Sequence, residues 1–469
     1  MKTFQEKNKY IAVISLALAS FSLLFISITL KGLVANILVQ VDDAFYTQFL
    51  ATRERFRDVA SQNYSNVVLV GIDDRTLNKL GAYNPLKYRA YHIGLLKNIL
   101  AGRPKAVVYD ILFADPHDDP EVDSRLAQTM ATGPVFSVIF ASENDRSKGM
   151  FEPFSQKAPA GLPKGFINEK GFESISPAIF QALQGFGLAN AYPDNDGLLR
   201  KIPIVLKVKD RLYPTLAFEV LRRINDIPLE KVAIQKGVIR AGRFKIPVDA
   251  LSRAHINIDS KNKIREISFY DIWSGRIPGR FFKDKIVFIA AVATGLGDMK
   301  LVPFYGYIPG VKIHANLLLN MLQDNLITEV AGVAYYFLIL CASLFYAFLF
   351  YGRRELSTIK KLMGYISSVA LVEKFSRILI KTPAVRRVHQ GFDDLRKKTY
   401  GIKIFFLLFS EVRKGIEPIL LHLIIVYVIL FVLFHYFNIF IKPAALLIEL
   451  LIIYVVVLKF KAIDFSRIS

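Results

Sequence analysis

What most constrains this chain is the placement of its long apolar runs. One covers residues 11–31, and three crowd the last third at 331–352, 417–437 and 442–460. A helix of about 20 apolar residues can cross a hydrocarbon core, where every backbone amide has to be satisfied inside its own segment. Four such runs predict four transmembrane helices, with a large domain at 41–328 held between the first and second. The first run is long for a cleaved leader and no A-x-A-like site ends it, so it reads as a retained anchor.

Charge gives the orientation. Residues 1–10 carry Lys2, Lys7 and Lys9 against Glu6, and 353–415 is denser still, from Arg353 and Arg354 to Arg413 and Lys414. Flanks rich in Lys and Arg stay cytoplasmic. Both tails, 1–10 and 461–469, and the segment 353–415 are then inside, with 41–328 outside. The formal net charge is +21, and about half of the excess falls in that one inner segment. The outer domain has no basic block interleaved with aromatics, so a nucleic-acid partner is not indicated; membrane lipids are. Cys341 is the single cysteine and lies within the second run, which leaves the outer domain without disulfides or thiolate metal sites.

Residues 41–328 read as an α/β domain with a mixed, largely parallel sheet built from βαβ units. Asn66–Asp73 is a β-branched run, Tyr88–Leu100 has helical spacing, and Ala106–Phe113 is a second apolar run. Strand, helix, strand at this length predicts parallel pairing of 67–73 with 106–113. A helix at Asp118–Met130 and a strand at Pro134–Phe140 follow, then a loop over 142–176, a strand at Lys201–Lys209 and a helix at Tyr213–Ile224. Lys285–Ala291 has the pattern of a buried strand, the loops Ala293–Asp298 and 303–310 succeed it, and Val311–Gln323 is a helix.

Three groups of residues sit where chemistry is done in such sheets. Asp73, Asp74 and Asp110 fall at strand ends, the usual place of ligand crevices. Helix caps account for these acids as well as a cation or polar-ligand site does. Ala293–Asp298 contains glycine but lacks the spacings of nucleotide-binding loops. His314 and Asn316 are placed to form a polar cluster with Asp298, and a structural hydrogen-bonding role suits the histidine equally. Neither G-x-S-x-G nor H-E-x-x-H occurs, so no hydrolase or metal enzyme is indicated, and no catalytic residue, cofactor or metal is predicted. On the cytoplasmic side, 353–401 has a basic amphipathic pattern that fits the inner leaflet and a docking surface for a cytoplasmic protein equally well.

The pieces VGIDD (70–74), VVYDILFADP (107–116), GLANAYPDNDGLLRKIP (187–203), FYDIWSGRIP (269–278), FKDKIVFIAAVATGLGD (282–298) and YIPGVKIHANLL (307–318) occur in an order that resembles the CHASE type-two domain. That family is an extracellular sensory domain of bacterial cyclases and histidine kinases, with one spanning helix before it and typically three after. Two stretches depart from the family pattern. Ala82–Arg89 (AYNPLKYR) keeps Pro85 and Arg89 without tryptophan, and Ile256–Lys263 (INIDSKNK) replaces a Tyr-Arg-Gly stretch. Relatives often carry an effector after the last span, whereas here about ten residues follow Leu458 and the inner segment 353–415 is long. The resemblance implies a multi-pass protein of the bacterial inner membrane, a non-enzymatic sensory receptor or accessory subunit. Its outer domain would bind a ligand or an envelope protein and signal to a separate cytoplasmic cyclase or kinase, with homo-oligomerisation compatible. The alternative is a structural subunit of an envelope complex, using the outer domain as a protein-binding module. Asp73, Asp74, Arg89, Asp110, Asp196, Arg200, Asp298, His314 and Asn316 are the expected ligand-binding face.

Overall fold

The computed structural model of the protein describes residues 18, 21–22, 33–56, 63–146, 150–158, 166–235, 237–258, 262–293, 295–296, 298–351 and 417–462. The expectations for 1–10, for 353–415 and for most of 11–31 and 461–469 lie outside those residues. The chain falls into two compact units, one of 46–329 with 434–440, the other of 1–45, 330–433 and 441–469.

The larger unit is organised by six strands, all parallel. They are β1 (Asn63–Ile72), β2 (Ala106–Asp110), β3 (Val135–Ile139), β4 (Gly185–Leu188), β5 (Asn262–Ser268) and β6 (Ile286–Ala291), in the spatial order β5-β1-β6-β2-β3-β4. The pairing expected between 67–73 and 106–113 is therefore corrected. The two strands are parallel but not neighbours, because β6 lies between them, with Val70 opposite Ile289 and Ile289 opposite Tyr109. Its sequence IVFIAA is apolar on both faces, which suits the most enclosed position of a parallel sheet.

Strand alternation sends successive side chains to opposite layers. Val67 and Leu69 of β1, Val108 of β2 and Phe288 of β6 pack with Leu216–Leu221 and Val311–Met321. Val68, Val70, Val107, Tyr109, Val287 and Ile289 pack on the other side with Leu95, Leu96, Ile99, Leu126 and Ile272. The first layer is made by α6 (Leu216–Arg223) and α8 (Gly310–Leu322). The second holds α2 (Asp74–Leu80), α3 (Tyr88–Ala101), α4 (Pro120–Met130), α5 (Pro177–Ala182) and α7 (Phe269–Trp273). Ahead of the sheet, α1 (Leu33–Phe56) was not foreseen and carries the chain into this unit.

Several predicted elements are shorter than read. The strand expected over Lys201–Lys209 is two, Lys201–Pro203 and Val205–Val208, and the helix expected from Tyr213 starts at Leu216 because Arg211–Pro214 pairs antiparallel with Val205–Val208. Within the loop expected at 303–310, β8 (Gly306–Pro309) forms and pairs antiparallel with β7 (Met299–Val302), which precedes it. A three-stranded antiparallel meander occupies 232–247.

The smaller unit contains α9 (Gly332–Tyr351), α10 (Glu417–Phe437) and α11 (Pro443–Ala462), at the positions of three predicted spans. α9 packs on α11, where Ser343 Oγ donates to Oε1 of the fully buried Glu449 at 3.1 Å. Among the described residues, no helix is long and apolar enough to cross a membrane. Ile425, Val428 and Ile429 of α10, Phe337 and Phe345 of α9, and Leu451 of α11 are exposed.

Candidate functional site

Strands β1 and β2 both leave the sheet toward the α2–α5 layer, while β6 leaves it for α8 on the opposite face. Connections that diverge in this way open a crevice at the carboxyl ends of the strands. Backbone packing there is close. Val292 and Ala293 both donate N–H groups to Ile72 O at 3.0 Å, and a Cβ on Gly71 would stand 2.4 Å from Val292 Cγ2, so only glycine fits.

Asp73 is spent on the fold. Its Oδ1 accepts from Thr76 N at 2.8 Å, Thr76 Oγ1 at 2.6 Å and Ser268 Oγ at 2.8 Å, capping α2 and tying it to the end of β5. Asp74 follows in the first helical turn, exposed.

Asp110 is different. It closes β2 opposite Ala290 of β6, and no hydrogen bond or ion pair reaches its carboxylate among the described residues. Burial pushes its pKa up to about 7, with the charge of Asp298 adding to the rise and Lys300 opposing it. Asp298 lies just before β7, where its Oδ1 accepts a 2.7 Å ion pair from Lys300 Nζ. Its backbone carbonyl accepts from Gly310 N at 2.7 Å, at the start of α8, and a Cβ on Gly310 would be 3.0 Å from Asp298 Oδ2. His314 stands one helical turn after Gly310 and is 4 % exposed, with no partner for Nδ1 among the described residues. Burial holds its pKa down at about 4, Lys300 lowering it further and Asp298 opposing, so the ring is neutral at physiological pH. Asp110 and His314 thus both feel the charges of Asp298 and Lys300, although no three His, Cys, Asp or Glu side chains among the described residues converge to hold an ion. Asn316 is set apart, since its Nδ2 donates to Lys312 O at 2.7 Å within α8.

The remaining expected residues serve structure. Arg89 is buried and donates to both oxygens of Asp123 at 2.6 and 2.8 Å and to Asp115 O, while Asp123 also accepts from Ser176 Oγ at 3.2 Å. This locks α3, α4 and the segment after β2. Arg200 is buried as well, and makes a two-pronged contact to Asp196 at 2.8 and 2.6 Å with Asp194 at 3.2 Å. That bond holds the Asp196 carboxyl below its usual range. Gly197 takes φ +80 in the turn between them, and Leu199 N donates to Leu301 O at 2.8 Å, so the turn borders β7. Lys300 and Asp123 were missed: each acts through a partner that sequence spacing gives no reason to choose.

A further cluster ties the return link 434–440 into this unit. Arg53, fully buried, donates to the side-chain oxygens of Asn257 at 2.5 Å and Asn438 at 3.3 Å and lies 4.8 Å over the ring of Phe434. Asn438 Nδ2 donates to Asn325 Oδ1 at 2.7 Å, and Thr328 N donates to Asn438 O at 2.8 Å. Tyr46 packs edge-on against Phe434 and Phe440.

Neither a curated protein nor a solved structure matches this chain. A family profile does: that of the CHASE2 domain, over residues 19–348, which spans more than half of the sequence. CHASE2 is a family of extracellular sensory domains, and the chain belongs to the CHASE2 domain family.

Proposed function

We propose that this protein is a membrane-anchored receptor. The CHASE2 domain lies outside the membrane, takes a ligand at the carboxyl edge of its sheet beside Asp110 and passes its state to a separate cytoplasmic effector. Four spanning helices carry the anchor, and the inner segment 353–415 receives the effector. The observation that carries this reading is the docking of residues 434–440 into the sensory unit through Arg53, Asn257, Asn325 and Asn438. The turn joining the last two helices belongs to the sensory unit and is held there by side-chain hydrogen bonds. Exposed apolar side chains on α9, α10 and α11 support a lipid surrounding.

The test is a mild-detergent pull-down of the full-length protein, compared with a version lacking 355–400. A cyclase or kinase that co-purifies with the first and not the second is the expected result. Envelope proteins retained by both, with no such effector, would replace the receptor by a structural subunit.

A further inference from the structure

Cations gather at the amino edge of the parallel sheet, where β2, β5 and β6 begin. Arg103 and Lys105 lie between α3 and β2, Arg280 in a single turn of 3-10 helix (Gly279–Phe282), and Lys283 and Lys285 just before β6, with Arg265 near the start of β5. Backbone contacts hold them together. Lys105 N donates to Lys285 O at 2.8 Å, Asp284 N to Arg103 O at 3.3 Å and Lys283 N to Arg280 O at 3.4 Å. The end of α3 and the 3-10 turn touch so closely that a Cβ on Gly279 would stand 2.5 Å from Asn98 O. The Arg265 guanidinium and Lys285 Nζ lie 4.9 and 5.2 Å over the one ring of Phe281.

This edge is out of electrostatic balance. Arg103, Lys105, Arg265, Arg280 and Lys283 are exposed. The side chains of Arg103, Lys105, Arg280, Lys283 and Lys285 make no hydrogen bond or ion pair among the described residues, and neither does that of Asp284, the one acid in the cluster. Elsewhere in the unit exposed cations are answered: Arg75 and Arg276 by Asp271 at 2.9 and 3.2 Å, and Arg146 by Glu173 at 3.3 Å. The negative end of α3 accounts for one cation just behind it, but not for the rest. Arg103 moreover holds φ 55 at the position after a helix where glycine is the usual residue, so a cation stands where a smaller residue would be unstrained. Like charges gathered in this way disfavour the folded state, and a polyanion laid against them removes that cost.

Spread over three strand starts, the cations suit an array of anions better than a single one. The chain also arrives at this edge from its first apolar run. β1 begins at Asn63, soon after α1 ends at Phe56, and β5 begins at Asn262, soon after Asn257, the partner of Arg53 in α1. For a membrane-anchored chain the bilayer is the polyanionic surface that tethering supplies at high effective concentration. We propose that the amino edge of the sheet docks on anionic phospholipid headgroups through Arg103, Lys105, Arg280 and Lys283. This goes beyond the receptor reading and rests only on its membrane anchor.

The experiment places the full-length protein in nanodiscs of phosphatidylcholine alone or with about 30 % phosphatidylglycerol, and follows acetylation of single lysines by N-hydroxysuccinimidyl acetate with mass spectrometry. Lys87, exposed at the opposite end of α3, is the internal control. Lys105 and Lys283 should react about threefold or more slowly in the anionic discs, with Lys87 unchanged, and the difference should vanish at about 0.5 M sodium chloride. The double variant Arg103→Gln with Arg280→Gln keeps both reporter lysines and should lose most of the slowing. Equal reactivity of Lys105 and Lys283 in the two lipids overturns the proposal, as does equal slowing of Lys87. Slowing in both lipids that disappears once a co-purifying protein is stripped away overturns it in favour of an acidic protein partner. A chain that leaves the discs removes the anchored reading and this inference with it, whereas a chain that stays embedded without lipid-dependent protection removes the inference alone.

Discussion

Asp110→Asn should stabilise the protein, and only above a defined pH. The carboxyl has its ordinary value of 3.8 when unfolded and about 7 when folded. The folded state therefore binds the proton more tightly, and stability falls as pH rises between those two values. Below about pH 4 both states are protonated and the acid costs nothing. Above about pH 7 both are ionised and the full penalty is present. At about 1.4 kcal/mol per pH unit the difference amounts to about 4 kcal/mol. The carboxyl group is enclosed but the residue as a whole keeps some solvent contact, and screening through that contact reduces the figure to about 1–2 kcal/mol. Asparagine has the same shape and no charge, so it removes the penalty without opening a cavity. For a domain of this size that is an increase of about 2–4 °C in Tm. The assay is thermal unfolding of the full-length wild type and variant in detergent, from about pH 4 to pH 8.5. The two curves should coincide at the acidic end and separate toward neutrality. A variant less stable at neutral pH would refute the argument, because it would mean that the ionised carboxylate has a partner.

Further substitutions probe other parts of the fold. Arg89→Met leaves the buried Asp123 carboxylate without its main partner and should destabilise by about 3–5 kcal/mol; Arg89→Met with Asp123→Leu should recover much of it, by denaturant titration. Gly187→Ala puts a Cβ 2.4 Å from Leu216 Cα, backbone that cannot move aside, and should cost more than the about 1–3 kcal/mol of ordinary overpacking, seen as loss of soluble folded protein. Arg53→Lys keeps the charge but cannot span Asn257 and Asn438 together, so protease sensitivity near 434–440 should rise as in Arg53→Ala.

How far the sequence could be read depended on whether the information was local. The β-branched run of β1, the periodicity of α3 and the Asp119 cap with Pro120 at the start of α4 are visible within a few residues, and those elements fall where expected. The slot taken by β6 is not, because IVFIAA would be buried equally well beside several strands. The hairpin β7–β8 was hidden because each strand is only four residues long, while Pro303, which follows β7, and Gly306 and Pro309, which bound β8, read as breakers. In the site, strand ends and motifs pointed to Asp110, Asp298 and His314 without distinguishing them from Asp73 or Arg200. What separates these residues is satisfaction. Thr76 and Ser268 complete Asp73, and Asp196 completes Arg200, whereas no hydrogen bond or ion pair completes Asp110 among the described residues. Such distinctions depend on partners brought together by the fold.

The late position of β6 in the chain has a consequence for biosynthesis. β1 and β2 gain their shared neighbour only when residue 286 has been made, so the centre of the sheet stays open while most of the domain is already outside the ribosome. Long-range parallel pairing is slow, and unpaired apolar strands are prone to aggregate. For an exported domain this interval falls during and after translocation. The nascent half-sheet would then be a client for holding chaperones, and a chain stopped short of β6 would be degraded as unfolded protein instead of surviving as a smaller domain.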